Sequence, residues 1–321
     1  MTGVVRLDEH GGPEVLRYGS ETVGEPAAGQ VRLRQEAIGV NFVDTYFRTG
    51  AFPVGALPAV IGGEGAGVVD AVGPGVDVVS VGDRVGYYFS PGAYAEVRLI
   101  AADELIPLPD DVPAVEAAAL LAKGLTAWGR LRRVHAVRAG EIVLVTGATG
   151  GVGSLLAPWG QHLGATVVAL VAGPERVVAA RALGLEHVVV AGELGAAVTA
   201  LGPGVDVLYD TVGRATFAEA AAVLRDGATV DLLGAASGDP EIDAADLDRR
   251  HITVTRSAAG QHLPDRATLL EASTELFAAW RSGVFGKRQV RRYPLADAAQ
   301  AHRDLESRID GAALVLLPAG N

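Results

Sequence analysis

The sequence predicts a two-domain α/β protein, a doubly wound parallel sheet joined to a mainly β domain, on three observations. From Glu141 onward, apolar strand-like runs alternate with helical stretches, the pattern of a parallel sheet covered on both faces. The first of those runs leads directly into a glycine-rich turn, Gly147-Ala148-Thr149-Gly150-Gly151-Val152-Gly153. The first ~120 residues instead carry short β-like runs separated by Gly and Pro clusters.

In order, the early β-like runs fall at 31–34, 65–72 and 94–99, with Pro53, Pro58 and Pro74 between them. Six strands follow, at Ile142–Thr146, Thr166–Val171, His187–Val190, 205–209, 228–233 and 252–255. Helical stretches at 154–163, 175–183 and 216–224 are long enough to be crossovers between parallel strands. Pro158 falls inside the first of them and predicts a kink or a limit on its first turn. Helices at 265–280 and 296–306 and a last strand at 312–317 complete the chain.

Length and composition narrow the functions. A chain of 321 residues, 49% hydrophobic with 42 glycines, predicts two packed domains with many tight turns. A net charge of -11 without a long basic run argues against nucleic-acid binding. The absence of cysteine excludes disulfides, thiolate zinc sites, cysteine nucleophiles and iron–sulfur clusters. The first ten residues lack the apolar core of a signal peptide, and no apolar stretch is long enough to span a membrane, so a cytoplasmic address is expected.

The glycine turn is the sharpest local signal. Glycines let the backbone approach a pyrophosphate, whose charge the start of the following helix favours. Gly150 and Gly151 are expected to face the phosphates, and Gly153 to let helix and strand pack closely. Taken alone, the turn also reads as ordinary strand-to-helix turn chemistry. In NAD-binding sites an acidic residue follows the second strand, but here that strand ends Leu170-Val171-Ala172-Gly173. The lack of an acid permits NADPH, and Arg176 is close enough to pair with the 2′-phosphate; the bland reading of Arg176 is a solvated helix residue.

These residues, with His10-Gly11-Gly12-Pro13-Glu14-Val15-Leu16, Gly39-Val40-Asn41-Phe42-Val43-Asp44-Thr45-Tyr46, Gly62-Gly63-Glu64-Gly65-Ala66-Gly67, Gly82-Asp83-Arg84-Val85, Lys123-Gly124-Leu125-Thr126, Asp210-Thr211-Val212-Gly213 and the segment 301–308, resemble one family. It is the quinone oxidoreductase, or zeta-crystallin-like, branch of the medium-chain dehydrogenase/reductase superfamily. The resemblance implies a GroES-like catalytic domain formed by residues 1–121 and 263–321, with a Rossmann NADPH-binding domain at 122–262 inserted in it and the nicotinamide and substrate in the cleft between. It implies cofactor contacts at Asn41, Tyr46, Thr126, Thr149, Gly150, Gly151, Val152, Gly153, Gly173, Arg176, Val212, Gly234 and Ala235, with Asn41, Tyr46 and Thr126 also catalytic. A homodimer is implied too.

Three departures qualify the resemblance. Gly63 stands where zinc alcohol dehydrogenases carry a histidine ligand, so no metal is expected. Phe52 replaces a tyrosine common in close relatives, removing a hydroxyl near the expected substrate cleft, and Ala191 replaces a tyrosine that helps hold the 2′-phosphate. The expected reaction is hydride transfer from NADPH to a quinone or other electrophilic acceptor, in which positioning replaces metal polarisation. Asn41 and Tyr46 would orient cofactor or acceptor, with Tyr46 helping in proton delivery; read without the family, Asn41 caps a turn and Tyr46 packs in a core. Asp44, Glu64 and Arg84 read as structural, Arg84 as the partner of a nearby acid. The rivals are an enone or enoyl reductase of the same fold and a non-catalytic NADPH-binding structural or RNA-binding protein.

Overall fold

The structure, a computed structural model, describes residues 1–307 and 311–319. Arg308, the end of the segment 301–308, lies outside them. The chain divides into two compact units, Met1–Ala122 with Arg288–Asn321 and, between these in sequence, Lys123–Lys287.

The first unit is built on Gln30–Val40, whose alternation buries Val31, Leu33, Gln35 and Ala37 and turns Arg32, Arg34 and Glu36 outward. It is central in a seven-stranded sheet that runs Val290–Pro294, Ala313–Leu317, Gln30–Val40, Glu64–Val72, Arg84–Tyr88 and Leu105–Pro107, with Val97–Ala101 also pairing on the central strand. A three-stranded sheet joins Leu16–Glu21, Thr2–Leu7 and Ala59–Val60. Leu7, Leu33, Ile38, Tyr87, Tyr94 and Leu316 share the core. Two registers set the geometry below: Ile38 lies opposite Gly65, and Glu64 opposite Tyr88.

The second unit is a six-stranded sheet in the order His187–Val190, Thr166–Val171, Ile142–Thr146, Val205–Asp210, Leu224–Leu232 and Thr253–Thr255, every neighbouring pair parallel. All five residues of Ile142–Thr146 are buried, as a central strand covered on both faces requires. In sequence order this is 3-2-1-4-5-6, which places the switch point between the first and fourth strands, where doubly wound sheets bind ligands.

Several sequence expectations need correction. The second unit runs to Lys287 and not to residue 262, because the helix Arg266–Arg281 packs within it. There Leu276 closes on Gly124, where a Cβ would fall 2.4 Å from its Cδ1, and Arg132 pairs with Glu275 at 2.8 Å. The helix Gly153–His162 continues through Pro158, its sixth residue. Ala114–Gly129, unread in the sequence, is nearly all apolar and so lacks the one-sided period that marks a surface helix. It ends in one wide π-helical turn, Arg130–Val134, and the helix Leu194–Leu201 and the strand Val290–Pro294 were likewise unread. Arg84 donates to the carbonyls of Pro109, Asp110 and Val112. Among the described residues no helix is long and apolar enough to cross a membrane.

Candidate functional site

In the first unit Asn41 stands at the N-cap of the helix Phe42–Thr49, extended at φ -124° and ψ 154°, with its backbone N–H donating to Asp44 Oδ2 at 2.8 Å. This is one half of a capping box. Its side-chain amide donates to Glu64 Oε2 at 2.7 Å, and Glu64 Oε1 accepts from the Ala122 N–H at 2.5 Å. Glu64 is wholly buried and Asn41 almost so. Gly39 is required here because a Cβ would fall 2.2 Å from Glu64 Oε2 and 2.3 Å from the Ala118 carbonyl. Thus Asn41 does cap, as its residue type suggests, and its amide is also held by a buried carboxylate.

Behind Asp44 runs a buried relay that the sequence did not announce. Arg48 Nη1 lies 3.1 Å from His302 Nδ1, His302 Nε2 lies 2.9 Å from the Tyr94 hydroxyl, and that hydroxyl donates to Asp44 Oδ2 at 3.1 Å. Since arginine only donates, His302 accepts at Nδ1 and carries its proton at Nε2. Burial, reinforced by Arg48, lowers the His302 pKa to about 3, so the ring stays neutral. Burial and then Asp44 raise the Tyr94 phenol well above its ordinary value, keeping it a donor. Arg48 also donates to Glu306 at 2.6 Å and to the Gly11 carbonyl at 3.0 Å. Tyr46 sits half-buried on the same helix, edge-on to Phe42 at 5.5 Å and tilted against Phe52 at 5.1 Å.

In the second unit the remaining candidates gather at the carboxyl ends of the parallel strands. Thr149, Gly150, Gly151, Val152 and Gly153 follow Ile142–Thr146; Gly173 and Arg176 follow Thr166–Val171; Val212 follows Val205–Asp210; Gly234 and Ala235 follow Leu224–Leu232. Thr126 lies in the helix Ala114–Gly129, half-buried. The turn is shaped by absent side chains. A Cβ on Gly153 would fall 2.4 Å from the Gly147 carbonyl oxygen, and Gly147 itself sits at φ +62°, where a Cβ would lie 2.4 Å from Thr211 Oγ1. Gly150 and Gly151 are exposed; a Cβ there would meet only the Gly147 oxygen at 3.2 Å and the Lys123 stem at 3.6 Å. This leaves the backbone open at Gly150 and Gly151, at the start of the helix Gly153–His162.

Two side chains outside the predicted set support it. Asp210, fully buried, accepts from Thr146 Oγ1 at 2.6 Å and from the Val212 and Gly213 N–H groups at 3.1 Å, clasping the first and fourth strand ends together. Lys123 lays its stem beside Gly151. Both residues lie within motifs quoted above, which signal the segment without telling a clasp from a contact. At the second strand end, Arg176 precedes the helix Val177–Ala182 with its N–H on the Gly173 carbonyl at 3.0 Å. The neighbouring Glu175 carboxylate overhangs Gly173, 2.4 Å from where a Cβ would stand. Among the described residues no group of three or more histidines and carboxylates is placed to hold a metal ion.

Comparison with known proteins agrees with this geometry. Residues 27–110 match the alcohol dehydrogenase GroES-like domain and residues 151–275 the family described as zinc-binding dehydrogenase. The chain is 39% identical to a 2-haloacrylate reductase of Burkholderia over 97% of its length and 98% of the relative's. It is 36% identical to a quinone oxidoreductase of Pseudomonas aeruginosa over 99% of its length and all of the relative's. The crystal structure of Escherichia coli quinone oxidoreductase complexed with NADPH superposes with a TM-score of 0.92 at 35% identity, over 98% of this chain and 100% of that one. With full-length identity of this order and both domains matched, the chain belongs to the quinone oxidoreductase branch of the medium-chain dehydrogenase/reductase superfamily.

Proposed function

We propose that this protein is an oxidoreductase that uses NADPH to reduce a quinone without a metal. The observation that carries the reading is the glycine turn, whose missing Cβ atoms leave open backbone at a helix start on the switch point of a doubly wound sheet. Thr149 to Gly153 would hold the pyrophosphate. Gly173 and Arg176 would hold the adenosine ribose and its 2′-phosphate, and Val212, Gly234 and Ala235 would line the path toward the nicotinamide. The Escherichia coli relative was crystallised with NADPH, which supports the choice of cofactor. Arg176 favours the phosphorylated form, while Glu175 beside it works against a second negative charge.

When bound, NADPH supplies a hydride. A quinone that accepts that hydride, two electrons and one proton, and takes one proton from water becomes a hydroquinone, leaving NADP+. The chain's task is to orient and to stabilise. Glu64 fixes the Asn41 amide and the relay from Arg48 to Asp44 fixes the helix carrying Tyr46; on the family resemblance, Tyr46 and Thr126 would supply hydroxyls for the developing negative charge. Because no thiolate exists and Gly63 stands at the histidine position, these groups replace metal polarisation.

A second reading, hydride delivery to a carbon–carbon double bond, is favoured by the Burkholderia relative, named a 2-haloacrylate reductase. A steady-state screen of NADPH and NADH against benzoquinone, naphthoquinone, enones and enoyl thioesters, with a metal assay of the same sample, separates the readings. Turnover confined to double-bond acceptors would replace the quinone reading. Tight cofactor binding with no acceptor reduced would favour a non-catalytic role. We also read the assembly as a homodimer: Thr253–Thr255 is the edge strand of the six-stranded sheet with Val254 exposed, an edge a second copy can extend.

A further inference from the structure

One face of the seven-stranded sheet is covered by residues 114–122 of the helix Ala114–Gly129. Ala37, Ala313 and Val315 pack there against Ala118 and Ala119, with Val115 and Val290 beside them. Ile38, Leu314 and Leu316 belong to the core on the other face. Gly39 lies opposite Val315 in register and against the Glu64 carboxylate, so Glu64 is buried on the helix-covered face.

Arg288 enters the same face. It stands two residues before Val290, where the Gln289 carbonyl accepts from the Ala313 N–H at 2.9 Å. Although the residue as a whole is half-buried, its Nη1 is closed off from water and has no hydrogen-bond partner among the described residues. Burial lowers the Arg288 pKa, and the carboxylates of Glu64 and then Glu116 act against that shift, which sets the guanidinium beside both. Arginine stays charged in such surroundings. A cation held there without its full set of acceptors destabilises the fold, and its hydrogen bonds do not account for its presence.

Glu64 supplies the account. Burial disfavours a charged carboxyl, yet both Glu64 oxygens accept, Oε2 from the Asn41 amide at 2.7 Å and Oε1 from the Ala122 N–H at 2.5 Å. A proton on Oε2 would turn that acceptor into a donor facing an NH2 group, and the Asn41 amide would have to rotate to present its oxygen instead. The orientation of Asn41 therefore follows the charge of Glu64. Around Glu64 stand Tyr87 and Tyr94, whose phenols are kept protonated by burial, with Glu64 and Asp44 adding to the effect. Arg98 lies against Tyr87, and Arg48 reaches Tyr94 through His302. On the covering helix Glu116 adds a like charge, and Lys123 follows Ala122.

We propose that Arg288 is a positioning residue: its guanidinium keeps Glu64 ionised, and Glu64 in turn keeps the Asn41 amide in the orientation that binds the cofactor. This rests on the reading of Asn41 as a cofactor contact of an NADPH-dependent reductase. Arg288 touches neither reactant and acts through Glu64 alone.

Three variants of the full chain test it. Arg288→Met keeps the stem and removes the charge, Arg288→Lys restores the charge, and Glu116→Gln removes the like charge and carries the test by itself where Arg288→Met does not fold. Two readouts are taken against pH: the 13C shift of the Glu64 side-chain carboxyl, and kcat/KM for NADPH with 1,4-naphthoquinone. In Arg288→Met the Glu64 midpoint and the acid limb of kcat/KM should both rise by about one pH unit. Both should return toward the natural values in Arg288→Lys and fall in Glu116→Gln. A Glu64 midpoint that none of the variants moves would overturn the proposal, and so would a midpoint that moves while the acid limb stays. If the natural chain reduces no quinone at all, the quinone reading fails by itself. The pH dependence of NADPH binding, read by isothermal titration, then takes the place of kcat/KM: movement together with the Glu64 midpoint supports the proposal, and an unmoved binding curve overturns it.

Discussion

Around Asn41 position is fixed by side chains, whereas around Gly150 it is fixed by backbone. The first arrangement needs Glu64, Asp44, Tyr94, His302 and Arg48, all buried and joined by hydrogen bonds of 2.7 to 3.1 Å. The second needs the absence of Cβ atoms at Gly147 and Gly153 and one buried carboxylate, Asp210, to clasp two strand ends. On the proposed function, the difference follows from what each end would have to do. A pyrophosphate is recognised by main-chain N–H groups, which every residue owns, so shape is the scarce requirement. Orienting a neutral reactant calls for side-chain dipoles held in one rotamer, and in a buried setting these must be fully satisfied or they destabilise the fold.

If this contrast is right, the largest effect should come from adding one methyl group in the second unit. Gly153→Ala places a Cβ 2.4 Å from the Gly147 carbonyl oxygen, and strain of the size seen in overpacked cores would weaken NADPH binding by up to about a hundredfold. Isothermal titration reads this directly; unchanged affinity would mean that the turn has slack and is not a fitted cradle.

A smaller effect, about tenfold, is expected for Arg176→Ala on NADPH, with NADH barely altered. The figure sits at the low end for a charged hydrogen bond because Glu175 offsets part of the guanidinium's charge and Ala191 supplies no phenol. Equal changes in the two dissociation constants would reduce Arg176 to a surface helix residue.

In the first unit the relay should show itself through pH. The folded pKa of His302, about 3, lies below the ordinary 6.5, so the unfolded chain binds a proton that the folded chain refuses. Stability from this group is therefore present above about pH 6.5 and is lost as pH falls toward 3, at no more than about 1.4 kcal/mol per pH unit. His302→Gln removes the titrating ring, so its midpoint in urea should fall less steeply than that of the natural chain between pH 6.5 and 4. Parallel slopes would show that the ring is not held neutral as the relay requires.

The two ends were unequally legible in the sequence. The cradle could be read because strand, glycine turn and helix are contiguous, and a parallel sheet of this type brings its strand ends to one edge. The sequence marks Glu64 only as a structural carboxylate, and its grip on Asn41 spans 23 positions that no local pattern connects. His302 and Tyr94 are 208 residues apart, and no local pattern announces their bond. The helix Ala114–Gly129 has no legible period because burial on all sides erases it, and the boundary that the resemblance implies at residue 262 falls short of Lys287 because the helix Arg266–Arg281 belongs to the second unit, with Leu276 against Gly124.

The most direct test of the account is a single-turnover measurement of naphthoquinone reduction by NADPH doubly deuterated at nicotinamide C4, with and without exhaustive chelation. Single-turnover kinetics isolates the chemical step from product release. The account predicts slower reduction with the deuterated cofactor and the same rates after chelation, because the proposed reaction is hydride transfer by a chain that has no cysteine and carries Gly63 at the histidine position. Equal rates for the two isotopic forms, or activity lost to the chelator and restored by zinc, would contradict it.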